Sequence, residues 1–179
     1  MALTQVAGGM LAGSITSSQI SSVAGSTITG SQSIPKSTLP TGSVLQVVQI
    51  GNSTTYTTTA NTLSATSISG SITPSSASSK ILVLCAISVY IAYTGSDYGC
   101  GLGIARNGTL VFNDPNGYNN FYASQGTGNF RNRTPFNYLD SPATTSSTTY
   151  TIYLSAYNGN ARVNTDNQTS TMMLLEIAA

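Results

Sequence analysis

The sequence predicts an all-β protein, in which an extended N-terminal stalk precedes an antiparallel, jelly-roll-like β-sandwich head. Three observations predict this class. Serine and threonine supply 27 and 26 of the 179 residues, while charged residues make up only 6%; threonine favours strands and serine competes for backbone hydrogen bonds inside helices. From residue 43 onward, strand-like runs alternate with turn signals about ten residues apart. No stretch shows helical periodicity. We therefore expect a stalk over residues 1–42 and a head over residues 43–179.

The first 42 residues carry isolated aliphatic side chains in a background rich in Gly, Ser and Thr. Between residues 8 and 42 there is no aromatic residue, and Lys36 is the only charge. A flexible linker has this composition, but a linker needs no large aliphatic residue at about every fifth position. Several copies wound about one axis would bury these residues against each other. We favour the stalk, with an oligomer interface that includes Ile15, Ile20, Val23, Ile28 and Ile34.

The head is predicted to hold about eight to ten short strands, which indicates a sandwich or jelly roll. Residues 43–50, 53–60, 63–72 and 80–93 read as strands, with a turn over residues 74–79. Asn107-Gly108 predicts a type I′ hairpin between residues 101–106 and 109–112, and Asn158-Gly159 predicts another between residues 150–157 and 161–164. Residues 171–177 form the last predicted strand. In residues 150–157, one face carries Tyr150, Ile152, Leu154 and Ala156.

The strand predicted over residues 80–93 is apolar on both of its faces. A strand of a two-sheet sandwich normally has a buried face and a solvated face, so its apolar and polar residues alternate. An uncovered second apolar row would form a patch that soluble monomers rarely expose. We therefore expect one face to contact another subunit, and a loop or helix covering that face is the alternative. The residues assigned to this interface are Val83, Ile87, Val89 and Ile91.

Composition argues against several classes of function. The net charge of +1 gives no electrostatic footprint for nucleic acid. Two cysteines, no histidine and five scattered acids supply neither a zinc site nor a calcium loop, so we expect no metal and no cofactor. No serine has a histidine to activate it, and no acids lie close together in the sequence, so we expect no enzyme.

Membrane insertion and secretion are not expected either. The longest apolar run, residues 81–93, has 13 residues, fewer than the roughly 20 that a membrane-spanning helix needs. The N-terminus carries no secretory signal, so we expect folding in a cytoplasm. We expect Cys85 and Cys100 to be free thiols, with a disulfide as the alternative if their strands are neighbours.

Three stretches of the head resemble a known family. Gly42-Ser-Val-Leu-Gln-Val-Val-Gln, Ser71-Ile-Thr-Pro-Ser-Ser-Ala-Ser-Ser-Lys-Ile-Leu-Val-Leu and Met172-Met-Leu-Leu-Glu-Ile-Ala-Ala are similar to the C-terminal domain of bacteriophage fibre and other virion appendage proteins, particularly of marine phages. The resemblance covers about residues 42–179. It implies a homotrimer with a trimeric stalk and a head of the tumour-necrosis-factor or C1q shape. It also implies attachment of the N-terminal segment to other virion proteins of the capsid or tail, after assembly in the host cytoplasm.

The best candidate contact surface lies in residues 112–138, which hold seven of the fourteen aromatic residues among seven Asn and two Arg. Aromatic faces against sugar C–H groups, with Asn and Arg bonding the hydroxyls, can recognise a host surface glycan. The alternative is that these aromatics fill the sandwich or a subunit seam. Arg131 and Arg133 are expected either to be solvated or to pair with Asp114, with Asp140 or with a partner chain. The residues assigned to receptor binding are Tyr118, Asn119, Asn120, Phe121, Tyr122, Arg131 and Arg133.

Together, the stalk-and-head pattern and the resemblance imply a trimeric phage fibre or spike that contacts the host surface. A capsid-decorating or fibre-adaptor protein and a carbohydrate-binding module are the alternatives. Glu176, in the last strand, is expected either to be buried and paired or to face outward at an edge.

Overall fold

The computed structural model describes residues 35–179, except Ser96, residues 114–119 and Gln125. It confirms the predicted all-β class, with eleven strands and two short 3-10 turns at Lys36–Thr38 and Thr165–Asn167. The five predicted stalk residues Ile15, Ile20, Val23, Ile28 and Ile34 lie outside the described residues. The head forms one compact unit, Lys36–Ala179. The strands are β1 (Val44–Asn52), β2 (Tyr56–Thr58), β3 (Ser64–Ile72), β4 (Lys80–Gly95), β5 (Tyr98–Arg106), β6 (Thr109–Asn113), β7 (Phe121–Ala123), β8 (Gly126–Asp140), β9 (Thr148–Tyr157), β10 (Gly159–Val163) and β11 (Ser170–Ile177).

Two antiparallel sheets face each other. In the six-stranded sheet, the long strand β4 pairs with β8 along one edge. Its other edge pairs first with β11 and then with β10, and β1 and β2 extend the sheet beyond them. In the five-stranded sheet, β3, β9 and β5 lie side by side, and β6 and β7 share the free edge of β5. The predicted antiparallel sandwich is therefore confirmed.

The core lies between the two sheets. The odd-numbered side chains of β4 point inward and pack with Leu102, Ile104, Ile152 and Leu154 of the facing sheet. The prediction for β9 is confirmed, since its four even-numbered residues from Tyr150 to Ala156 are buried.

The assignment of Val83, Ile87, Val89 and Ile91 to a subunit interface is wrong. All four side chains are at most 3% exposed inside the sandwich of a single chain, so they offer no surface to a neighbour. The physical reason is that both rows of β4 are apolar, and the odd row is the one that faces the second sheet. The row that faces outward is the even-numbered one.

Strand β8 was not among the predicted strands, although it is 15 residues long. Its inward side chains meet the aromatics of β6 and β7 across the sandwich: Phe130 stacks on Phe121 with ring centroids 3.8 Å apart, and Phe136 and Tyr138 lie 6.0 and 5.6 Å from Phe112. Five of the aromatics in residues 112–138 therefore close one edge of the sandwich, as the alternative reading of that segment expected.

The two predicted turns have different outcomes. Asn107 and Gly108 both have positive φ, 48° and 84°, and β5 pairs with β6 across them, so that hairpin is confirmed. The hairpin predicted at Asn158-Gly159 is wrong, because β9 belongs to the five-stranded sheet and β10 to the six-stranded sheet. Asn158, at φ 47°, instead turns the chain from one sheet into the other.

Both cysteines are buried, and neither forms a disulfide in the described part of the chain, in agreement with the prediction of two thiols. Burial raises the pKa of the Cys85 thiol to about 12. Among the described residues, no helix is long and apolar enough to cross a membrane.

Candidate functional surface

The outer face of the six-stranded sheet carries a continuous apolar patch. Paired residues of an antiparallel ladder point to the same side of the sheet. The register places Val47, Leu175, Leu82 and Leu139 in one row across β1, β11, β4 and β8. Met173 and Leu84 lie in the next row. We define the apolar patch as Val44, Val47, Leu82, Leu84, Leu139, Met173, Leu175 and Ile177.

The members of the apolar patch are accessible in the single chain. Val47 is 56% exposed, Val44 50%, Leu139 49% and Met173 37%, and the other four are partly exposed. Val44, Val47, Leu139 and Met173 are four of the six large apolar residues that are exposed in the described part of the chain. The outward row of β4 thus lies in the middle of the apolar patch. The exposed apolar face of this strand is its even-numbered row, and not the odd-numbered row that was assigned to the interface.

Further along the same outer face, the side chains become polar and basic. Tyr90 of β4 lies between Arg131 of β8 and Arg162 of β10, whose guanidinium carbons are 5.1 and 5.4 Å from the ring centroid. The Tyr90 hydroxyl donates to Asn129 Oδ1 at 2.7 Å. We call Arg131, Tyr90 and Arg162 the basic rung. Cations over a tyrosine face are attracted by its ring quadrupole, which fixes both guanidinium groups against the sheet.

A cavity of about 280 Å³ adjoins the basic rung on the side nearer the apolar patch. Its floor is Ser88 and Val89, one wall is formed by Arg131 to Arg133 of β8, and the other by Thr165 and Gln168. This cavity forms where β4 changes its partner from β10 to β11, and the chain between those strands rises over the sheet. We call it the arginine cavity.

The loop that forms the second wall of the arginine cavity is tightly anchored. Asn164 is fully buried; its amide nitrogen donates to Asn52 Oδ1 and to the Thr54 carbonyl, both at 3.1 Å, and its Oδ1 accepts the Ser170 amide at 3.0 Å and hydroxyl at 2.6 Å. Asn164, Asp166 and Asn167 all have left-handed φ, between 55° and 59°. Such backbone persists only where the surroundings over-determine it, so the wall is pre-organised.

On the other side of the basic rung is a shallower depression of about 500 Å³. Asn129, Asn158 and Asn160 contribute amides to its lining, beside Ala92 and Tyr93. The polar half of the outer face is therefore a strip with amides at one end, two guanidinium groups in the middle and the arginine cavity at the other end.

The predicted receptor residues do not form one surface. Tyr118 and Asn119 lie outside the described residues. Phe121 points into the sandwich against Phe130, whereas Arg131 and Arg133 point to the outside of the six-stranded sheet. Tyr122 is exposed on the opposite sheet, near Tyr157. Asn120 accepts the Leu102 amide at 2.6 Å, in the gap where β5 passes from β7 to β6.

Arg131 and Arg133 differ in their pairing. Arg131 forms an exposed ion pair with Asp166, which is neither of the two expected partners. Among the described residues, Arg133 forms no ion pair. Asp140 instead pairs with Arg106, at 2.9 Å, and accepts a 2.6 Å hydrogen bond from the buried Tyr150 hydroxyl.

The part of this surface that comes from distant segments could not be predicted from the sequence. Tyr90, Asn129 and Arg162 belong to three strands that are neighbours only through the sheet register. The local sequence feature that could have indicated this surface is Arg162, which lies among Asn residues next to Asn158-Gly159. Among the described residues, no group of three or more His, Cys, Asp or Glu could hold a metal ion.

Comparison with protein-family models and with curated proteins found no match. Solved structures to which this chain is similar include the infectious bursal disease virus VP2 subviral particle, with 13% identity and a TM-score of 0.40 over 75% of this chain and 37% of that one. The structure of the Gt strain of the same virus has 15% identity and a TM-score of 0.38, over 85% of this chain and 43% of that one. The chain thus spans about two fifths of the length of these structures.

Proposed function

We propose that this chain is a structural protein of a virion, a homotrimeric fibre or spike whose heads associate through the apolar patch. The observation that supports the proposal is the row Val47, Leu175, Leu82 and Leu139, which crosses four strands without a charge. Depletion of charge at the centre of an apolar area is the compositional mark of a subunit interface. The phage-appendage resemblance of three head segments supports the virion role.

The occupant of the apolar patch is a second copy of the same chain. The described chain begins at Pro35, and Lys36 and Leu39 line a cavity with Leu45 and Ala178, which are neighbours in sequence of the patch residues Val44 and Ile177. The described part of the head therefore begins at the end that carries the patch. In this proposal, residues 1–34 assemble as a stalk, and copies joined there hold the patches of neighbouring heads together.

In this proposal, residues 1–42 attach the trimer to other proteins of the capsid or tail. The polar half of the outer face of the six-stranded sheet contacts the host surface. Assembly takes place in the host cytoplasm. The protein has no catalytic role and needs no metal or cofactor.

The test of assembly is the mass of the full-length protein in solution. We expect a trimer by light scattering, and a monomer after Leu139→Glu or Val47→Glu, because a charge in the patch would be buried without a partner. Leu110→Glu is the matched control, since Leu110 is exposed on β6 of the other sheet and should leave the trimer intact. A monomeric wild-type protein would overturn the proposal.

The test of location uses purified virions carrying a gold-labelled copy of the chain. We expect label at a tail or capsid appendage, and label absent from particles would contradict the virion role. Adsorption to host cells, measured for particles with and without this protein, separates the candidate functions. Label on the capsid, together with adsorption that does not change when the protein is absent, would favour a decorating or adaptor protein.

A further inference from the structure

The polar half of the outer face concentrates positive charge in a chain that has little. Three of the six Lys and Arg residues, Arg131, Arg133 and Arg162, lie on this strip, with Asp166 as the acidic neighbour. Three positive charges and one negative charge give the strip a local charge of +2, while the whole chain has a net charge of +1. An anionic ligand is the class that such a surface attracts.

The spacing of the arginines suits one anionic group. Arg131 and Arg133 are two residues apart on the same face of β8, so their Cα atoms are about 7 Å apart along the strand. Both line the arginine cavity. Guanidinium groups form charge-assisted, often bidentate hydrogen bonds with carboxylate, sulfate and phosphate oxygens. The anion would lie between them, above Ser88.

The rest of the strip suits a sugar chain. Hydroxyls and amides from Ser88, Thr165 and Gln168 surround the two arginines in the cavity, and Asn129 and Asn160 line the depression beyond the basic rung. Such groups both donate and accept, as sugar hydroxyls require. From Ser88 to Ala92 the strip runs about 13 Å along β4, which is longer than a single sugar ring needs.

The same features argue against nucleic acid. Tyr90 has a guanidinium group on each side, so its ring is not free to stack with a base. Proteins that bind single strands combine a basic groove with accessible aromatic faces, and their affinity comes from many phosphate contacts.

We propose that the arginine cavity and the basic rung bind an acidic oligosaccharide, with the carboxylate or sulfate of one sugar held between Arg131 and Arg133. Arg133 supplies the free charge, and Arg131 exchanges part of its contact with Asp166 for the ligand. The pre-organised loop at Asn164 keeps the opposite wall in place, which lowers the entropy lost on binding. This inference rests on the proposed contact with the host surface and gives that contact a ligand class and a location.

The test is calorimetric titration of the full-length protein with tetragalacturonate, a heparin tetrasaccharide, neutral maltotetraose, inorganic phosphate and a short single-stranded DNA. We expect one or both acidic tetrasaccharides to bind at least about ten-fold more tightly than maltotetraose and than phosphate, the difference of one charge-assisted contact. Binding of tetragalacturonate would show that a carboxylate is sufficient, whereas binding of the heparin tetrasaccharide alone, which carries carboxylates and sulfates, would show that sulfate is required.

Variants locate the site. Arg133→Gln should weaken binding of the acidic tetrasaccharide by at least about ten-fold. Lys80→Gln is the matched control, because Lys80 is an exposed cation on the same sheet, at the edge of the apolar patch beside Ile177 and far from the arginine cavity, and should leave affinity within about two-fold. Circular dichroism checks that both variants are folded.

Equal affinity for acidic and neutral sugars, no effect of Arg133→Gln, tighter binding of phosphate alone, or tighter binding of DNA would each overturn the inference. Its failure is distinguishable from failure of the proposed assembly. Arg133→Gln should remain a trimer by light scattering, and Leu139→Glu should bind the sugar as a monomer, because the cavity belongs to one chain.

Discussion

Ser75 donates both its backbone amide and its hydroxyl to Oε1 of Glu176, each at 2.6 Å. The other carboxylate oxygen accepts the Gln46 side-chain amide at 2.7 Å. Glu176 is fully buried, so the alternative in which it faces outward is wrong, and its partners are hydrogen-bond donors without charge. Gln46, Ser75 and Glu176 come from the three separate stretches that resemble phage appendage proteins. Those stretches therefore meet at one carboxylate, which links β1, β11 and the turn that precedes β4.

Glu176→Gln should lower the free energy of unfolding by about 1–3 kcal/mol, the cost of leaving buried polar groups unpaired. The new amide turns one acceptor oxygen into a donor that faces the donors of Ser75 or Gln46. Urea unfolding at pH 7 and fixed protein concentration measures the change. Asp166→Asn, which alters an exposed carboxylate, should shift stability by no more than about 0.5 kcal/mol. A similar loss in both variants would contradict the structural role of the buried cluster.

Stability should also depend on pH through Glu176. Burial opposes ionisation of this carboxyl, but the hydrogen bonds from Ser75 and Gln46 outweigh it and hold its pKa below the ordinary value of 4.5. A carboxyl whose pKa is lowered by folding stabilises the protein fully above its unfolded pKa, and that contribution is lost as pH falls through the folded value. We expect wild-type stability to be flat from pH 7 to about 5.5 and to decline below about 4.5, and the decline to be shallower in Glu176→Gln. Parallel pH profiles for the two proteins would refute this assignment.

The strands that could be predicted from sequence are those in which a physical pattern is local. Alternation identifies the buried face of β9, and the Asn107-Gly108 pair identifies the hairpin between β5 and β6. Strand β8 could not be predicted because neither of its rows shows a simple apolar pattern. Its inward row mixes Phe with Asn and Thr, and its outward row is polar and includes Asn129, Arg131, Arg133 and Pro135. Proline and charge are tolerated there because β8 is an edge strand of the sheet.

The candidate surface could be predicted less well, because its parts meet only in the tertiary structure. Arg131 and Arg133 were identified, but together with Phe121 and Tyr122, which belong to β7 of the other sheet. Both rows of β4 are apolar, so sequence alone does not say which row faces the second sheet. Asn158-Gly159 has the composition of a hairpin turn, yet it connects two sheets, and local turn chemistry does not distinguish the two cases.

Tyr150→Phe should destabilise the protein by about 1–2 kcal/mol. The Tyr150 hydroxyl donates to Asp140 Oδ2 at 2.6 Å inside the protein, and Arg106 binds the same carboxylate. Burial and the hydrogen bond with Asp140 raise the pKa of Tyr150, so the hydroxyl remains a donor throughout the neutral range. Tyr153→Phe is the control, since Tyr153 lies on the outer face of the same strand. Thermal unfolding compares the two, and an equal effect would show that the Asp140 contact contributes nothing measurable.

The two thiols should resist modification in the folded protein. Cys85 and Cys100 are 6% and 1% exposed, and only the thiolate reacts with a disulfide reagent. With the pKa of Cys85 raised to about 12, little thiolate exists at pH 8. We expect Ellman's reagent to detect no thiol in native protein and two per chain in urea. Rapid labelling of native protein would show that the strands around Cys85 open readily.

The inward and outward rows of β4 should respond differently to the same kind of truncation. Ile87 is fully buried, so Ile87→Ala leaves a cavity and should cost about 2–5 kcal/mol of stability. Leu84 lies on the partly exposed outer row, so Leu84→Ala should cost less in the isolated head but weaken association of the subunits. Denaturant unfolding and light scattering over a dilution series separate the two effects. Because unfolding of an oligomer depends on concentration, both variants are compared with wild type at matched subunit concentration. If Ile87→Ala shifted the dissociation midpoint while Leu84→Ala left it unchanged, the even-numbered row would not be the contact surface and the apolar patch would need another occupant.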